Sequence, residues 1–87
     1  MAGYRLLIKP SAVKELEAIT RKKDRRRLVS RIQSLSRHPR PAGCEKLAGS
    51  SPRYRLRQGP YRIVYTVDDV RSIVEVVKIG HRKDVYR

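Results

Sequence analysis

Cys44 is the only cysteine in the chain, which excludes an internal disulfide and a thiolate cluster and suits a reducing compartment. As a lone thiol in a loop it is expected to be unreactive. Histidine is nearly as scarce. His38 and His81 lie far apart, and with scattered carboxylates they give none of the spacings that hold zinc or a similar ion. No metal and no cofactor is therefore expected, and no glycine-rich loop for cradling phosphates is present. Long apolar runs are missing too. A bilayer span needs ~20 apolar residues, and the opening Leu6-Leu7-Ile8 run stops at Lys9 and Pro10, too short for the core of a signal peptide. The expectation is a soluble cytoplasmic protein with no membrane partner. Acidic residues are few: 8 stand against 22 Lys and Arg, a formal net charge of +14. Such a field repels itself and draws in polyanions, so a nucleic acid or an acidic protein is the implied partner. More than half of the cations precede Leu47, where they also suit a solvated helical face.

A chain of 87 residues has room for one domain, taken as residues 1–87. Tyr4, Leu6 and Ile8 alternate with Arg5, Leu7 and Lys9, which predicts a strand over 3–9 that Pro10 ends. Ser11 is placed as an N-cap for a helix over 11–21, with Ala12, Val13, Leu16 and Ile19 on one stripe. Every residue from Arg21 to Arg27 is charged. Asp24 is the expected N-cap of a second helix carrying Leu28, Val29, Ile32 and Leu35, which must stop near His38 before Pro39 and Pro41. Residues 39–52 read as an ordered loop with Leu47 as its anchor in the core.

From Arg53 the period changes to two. Tyr54 and Leu56 alternate with Arg55 and Arg57, Gln58-Gly59-Pro60 supplies a turn, and Tyr61 to Val67 alternates again. After a turn at Asp68 and Asp69, Ile73 to Ile79 is apolar on both faces, with Ile73, Val77 and Ile79 on one and Val74 and Val76 on the other. That pattern belongs to a strand in the middle of a sheet. The predicted order is β-α-α-β-β-β. It makes an α+β domain, with a helical hairpin packed on one face of a mostly antiparallel sheet.

Alternation puts Arg55 and Arg57 on one face, away from the core. The simplest hairpin register around Gln58 to Pro60 brings Arg62 beside Arg57. Three guanidinium groups on one surface repel one another, which fits an anionic ligand better than packing. Arginine suits phosphate because its planar fork donates paired hydrogen bonds and keeps its charge. The ending Gly80-His81-Arg82-Lys83-Asp84-Val85-Tyr86-Arg87 then adds an imidazole, a phenol and more cations at one edge of the sheet. Together these supply what cleavage of RNA by its own 2′-hydroxyl needs: cations for the phosphorane, a proton acceptor, and a ring to stack on a base.

Lys46-Leu47-Ala48-Gly49, Tyr54-Arg55-Leu56-Arg57, Gly59-Pro60-Tyr61-Arg62-Ile63-Val64-Tyr65, Gly80-His81-Arg82 and Val85-Tyr86 resemble the RelE family of the RelE/ParE superfamily over nearly the whole chain. The resemblance implies a toxin of a type II toxin–antitoxin system, a metal-independent endoribonuclease that cuts translated mRNA in the ribosomal A site. It implies that Arg55 and Arg57 line the active site, that Arg62 binds phosphate, that Arg82 is a second such arginine, and that Tyr86 stands beside the target base. The chemistry implied is attack of the 2′-oxygen on the adjacent phosphate, leaving a cyclic phosphate and a free 5′-hydroxyl. One departure matters: the better-known pattern has lysines at positions 55 and 57. Arginine cannot act as a base at neutral pH. Base duty is therefore assigned to His81, since an imidazole ionises near neutrality.

The ParE branch, which shares the fold but inhibits DNA gyrase, is the main alternative, and a non-catalytic nucleic-acid-binding module is the other. A toxin of this kind implies an acidic, RelB-like antitoxin, with the 70S ribosome and mRNA as further partners. Promoter DNA is expected to be met only through the antitoxin complex. Cations of the second helix, Arg25, Arg26 and Arg27, are expected to grip ribosomal RNA.

Overall fold

The computed structural model describes residues 3–47 and 52–81. The alternating opening forms β1 (Arg5–Ile8), and the two helical stripes form α1 (Pro10–Glu17) and α2 (Lys22–Ser34). The second half forms β2 (Glu45–Lys46), β3 (Arg53–Gln58), β4 (Tyr61–Asp68) and β5 (Ile73–His81). The strands make one sheet in the order β1-β5-β4-β3-β2. β1 runs parallel to β5 and the other pairings are antiparallel. The expected α+β architecture is therefore present, with β5 interior to the sheet. β2 is an addition: a strand of two residues carries no periodicity to read.

Both expected helix caps are displaced. α1 begins at Pro10 with Lys9 at its N-cap, because proline lacks only an N–H that the first turn leaves unbonded anyway. α1 also stops at Glu17, short of the expected end. Its last turn closes with Ala18 N–H on the Lys14 carbonyl and Ile19 N–H on that of Leu16. α2 starts at Lys22 with Arg21 as N-cap, which leaves Asp24 inside the first turn, where a carboxylate favours the positive end of the helix dipole. Arg25 spans the joint, donating from Nη1 to the Ile19 carbonyl at 2.8 Å.

The core lies between the helices and one face of the sheet. Ala12, Ile19, Leu28, Ile32 and Leu35 meet Leu56, Ile63, Tyr65, Val67, Val74, Val76 and Ile79. Strict alternation predicts Ile79 on the opposite face from Val74 and Val76, and the structure puts all three on the same one. A bulge is the reason: Tyr65 pairs with Val76 but Val64 pairs with Lys78, so Val77 is an extra residue and the alternation slips by one. From Ile79 onward, odd-numbered residues of β5 face the helices. Leu47 also departs from expectation. It is half-buried and lines a cavity on the other sheet face with Arg53 and Val64, while Cys44 is the loop residue that packs against the core.

A polar network pins the loop between α2 and β2. The Tyr65 hydroxyl donates to the Pro39 carbonyl at 2.8 Å, and the Tyr65 ring stacks on Tyr54 with centroids 5.7 Å apart. Arg40 lies over the Tyr54 ring, donates to its hydroxyl, and pairs with Asp69 at 2.7 Å. The Tyr4 hydroxyl donates to the same carboxylate at 2.6 Å. Arg40 and Tyr4 hold the Asp69 carboxyl below its ordinary range, and burial pushes the Tyr65 phenol up. This fastening sets the path that delivers Glu45 to the sheet edge. Among the described residues no helix is long and apolar enough to cross a membrane.

Candidate active site

The two-residue turn at Gly59 and Pro60 fixes the hairpin that builds the site, and Gly59 supplies the positive φ of 60° that this turn uses. In the resulting register Leu56 faces Ile63 on the core side, and the next pair, Arg57 and Arg62, faces the opposite way. Arg55 shares that open face by alternation. The three arginines expected to share a surface do so. Their exposures differ: Arg57 is exposed, Arg55 is half-buried, and Arg62 is 4% exposed. Arg62 is the only buried charged residue among those described. Its Nη1 donates to the Tyr61 carbonyl at 3.2 Å. Held beside Arg55 and Arg57, its planar guanidinium presents the paired, permanently charged donors that suit a phosphate.

The cationic surface is wider than the three arginines. A cavity of about 360 Å³ on this face is lined by Lys9, Arg53, Arg55 and Lys78 around Val64 and Val77. Arg53 has the same parity as Arg55 and was open to the alternation argument. Lys9 arrives from the end of β1 and Lys78 from the bulge, and neither placement carries a signal in local sequence.

Glu45 is the residue that sequence reasoning left aside. β2 sets it opposite Arg55, and Arg55 Nη2 donates to Glu45 Oε1 at 2.9 Å. The Arg55 guanidinium, with smaller contributions from Arg57 and Arg62, holds the Glu45 carboxyl below its ordinary range. Its side chain is 57% exposed, so an ionised carboxylate stands at the rim of the arginine face, open to an incoming ligand.

His81 is not brought to that face. It pairs with Tyr61, and the two rings meet edge to face at 5.8 Å and 79°. Tyr61 packs against the core, which places His81 on the helix side, where both residues line a second cavity with Glu15, Ile19 and Lys78. The Val77 bulge causes this, since strict alternation would have carried position 81 to the arginine side. Arg82 and Tyr86, the remaining expected site residues, lie outside the described residues. Among the described residues no three His, Cys, Asp or Glu side chains are grouped to hold a metal ion.

Comparison with known proteins agrees with this fold. The profile of the family described as the ParE toxin of type II toxin–antitoxin system, parDE, matches residues 6–86. Toxin RelG of Mycobacterium tuberculosis is 38% identical over 56 residues, a match spanning 61% of this chain and 61% of the length of RelG. The archaeal RelE–RelB complex from Pyrococcus horikoshii OT3 contains a similar chain, with a TM-score of 0.82 and 29% identity over 92% of this chain and 96% of that one. The intact E. coli RelBE toxin–antitoxin complex gives a TM-score of 0.73 and 31% identity, covering 90% of this chain and 95% of that one. With its family profile matched across nearly every residue and its fold shared with RelE chains, the protein belongs to the ParE toxin family of type II toxin–antitoxin systems, within the RelE/ParE superfamily.

Proposed function

We propose that the protein is a ribosome-dependent, metal-independent endoribonuclease that cuts mRNA in the ribosomal A site and so inhibits translation in the cytoplasm. The observation that carries this reading is the open sheet face on which Arg55, Arg57 and Arg62 converge with Glu45 at its rim. Each has a role that its environment suits. Arg62, already desolvated, binds a non-bridging oxygen of the scissile phosphate, where a buried charge-assisted hydrogen bond is strong. Arg57, exposed beside it, neutralises the charge that builds on the phosphorane. Arg55 orients Glu45.

Glu45 then takes the base role that the sequence pattern assigns to His81. Its ionised carboxylate removes the 2′-hydroxyl proton as the 2′-oxygen bonds to phosphorus, and the bond from phosphorus to the 5′-oxygen breaks. The products are a 2′,3′-cyclic phosphate and a 5′-oxygen that takes up a proton. Arg82 and Tyr86 belong to the same proposal, the first as a further phosphate ligand and the second stacked on the base. An acidic, RelB-like antitoxin would hold the toxin inactive, in keeping with the toxin–antitoxin complexes that share this fold, and DNA would be met only through that complex.

The test is primer-extension mapping of an mRNA translated on purified ribosomes, with wild-type protein, with Arg62→Ala, and with ribosomes omitted. Cuts within A-site codons that need both ribosomes and Arg62 are the expected result. The matching family carries the name ParE, which favours gyrase inhibition as the second reading. Intact mRNA together with loss of DNA supercoiling by purified gyrase would establish that one instead.

A further inference from the structure

The second cavity, about 450 Å³ in volume, lies on the helix side of the sheet and is lined by Glu15, Ile19, Tyr61, Lys78, Gly80 and His81. The arginine site described above makes no use of it. Tyr61 and His81 form an edge-to-face aromatic corner, and Ile19 belongs to the core beneath. Glu15 is held firmly: its Oε1 accepts from the Ile79 N–H at 2.9 Å and its Oε2 from Lys78 Nζ at 3.0 Å. Its side chain is still 32% exposed, and each carboxylate oxygen has a second lone pair to offer. Lys78 balances its charge, so the cavity admits part of a polyanion without net repulsion.

Two observations join this cavity to the arginine face. Lys78 lines both cavities. Among the described residues no strand pairs with that edge of β5 past Val76, where the β1 pairing ends, and Glu15 takes up the Ile79 N–H beyond it. A single strand of RNA laid on the arginine face has a route past Lys78 into the aromatic corner. On the ribonuclease reading of the arginine face, on which this rests, we propose that the cavity is a subsite for an unpaired nucleobase flanking the scissile phosphate, and that it selects bases bearing an exocyclic amino group. The ring packs against Tyr61 and His81 as bases do on aromatic side chains. The amino group donates to Glu15, as cytosine N4 does to a carboxylate. Uracil is disfavoured because its O4 replaces that donor and its N3–H sits between two carbonyl oxygens that repel the carboxylate.

The experiment uses cytidine 5′-monophosphate and uridine 5′-monophosphate as probes of the isotope-labelled protein, observed by NMR at the His81 ring protons and the Ile19 methyl groups. Cytidine monophosphate should shift these signals saturably and bind about tenfold more tightly than uridine monophosphate. N4,N4-dimethylcytidine monophosphate, which has no amino hydrogens, should lose that advantage without any change to the protein. Glu15→Gln, which keeps an acceptor for Ile79, should bring the two nucleotides to equal affinity. Equal binding of both nucleotides by the wild type, or shifts confined to the Arg53 to Arg62 hairpin, overturns the proposal. Arg62→Ala should abolish mRNA cutting and leave the cytidine shifts at His81 in place. Failure of the ribonuclease reading would thus show as wild-type protein that cuts nothing while those shifts persist.

Discussion

Arg57 and Arg62 are direct cross-strand partners on the sheet face that the helices leave open, and Arg62 is 4% exposed. Two like charges opposite one another on a sheet destabilise it, and burying one adds desolvation to repulsion. Arg62→Lys keeps the positive charge but removes the planar fork that pairs with a phosphate, so it should leave the urea midpoint near that of the wild type. Cleavage should fall by about 100-fold or more, the usual cost of one lost donor to a transition-state oxyanion. A large drop in stability with only a small loss of cleavage would show Arg62 to be a structural residue.

Glu45→Gln should lower the rate of cleavage while leaving ribosome affinity near that of the wild type, because a base acts on the reacting proton and not on the phosphate. The pH profile gives a sharper check. Arg55 holds the Glu45 carboxyl below its ordinary range, so the carboxylate stays ionised as pH falls through that range. The acid limb of the rate should therefore lie below the ordinary carboxylate pKa of about 4.3, and Glu45→Gln should remove it. An imidazole base would instead give an acid limb near neutrality. Cleavage that survives undiminished in Glu45→Gln would return the base role to His81.

That contrast marks where sequence alone stops. The arginine face was legible because period-two alternation and the Gly59-Pro60 turn together fix which side Arg55, Arg57 and Arg62 occupy. Glu45 was not, since its approach to Arg55 depends on the two residues of β2 finding the edge of β3, a tertiary event with no local pattern. His81 was misplaced for a third reason. One extra residue in β5 reverses the facing of all that follows it, and no feature of Val76-Val77-Lys78 announces a bulge. The two helix caps failed more mildly. Ser11 and Asp24 are good capping types, but Pro10 and the polar run at Arg21 moved each helix start ahead of them.

The second-helix cations divide into two groups. Arg25 is half-buried and bonded to the Ile19 carbonyl, whereas Arg26 and Arg27 are exposed. Arg25→Ala should cost about 1 kcal/mol in urea unfolding, the net worth of a typical hydrogen bond, by loosening the joint between α1 and α2. Arg26→Ala and Arg27→Ala should alter stability by no more than about 0.5 kcal/mol. In a ribosome-binding assay they should weaken association and flatten its dependence on salt, by a slope of about 0.7 to 0.9 for each phosphate that is no longer neutralised. Unchanged binding in the double variant would remove α2 from the ribosome-facing surface.

The fastening of the loop before β2 is open to a similar separation of stability from chemistry. The Tyr65 hydroxyl is bonded to the Pro39 carbonyl at 2.8 Å, and Tyr65 is fully buried. Tyr65→Phe keeps the ring stack on Tyr54 but strands that carbonyl. A cost of about 1 to 3 kcal/mol follows if the carbonyl finds no water, read as a lower urea midpoint with an unchanged slope. Because the same loop carries the chain to Glu45, the variant should also cut more slowly. Its rate should not fall as far as in Glu45→Gln, since Arg40 still ties the loop to Asp69 and Tyr54. A variant with wild-type stability would show that the Pro39 carbonyl is satisfied by solvent.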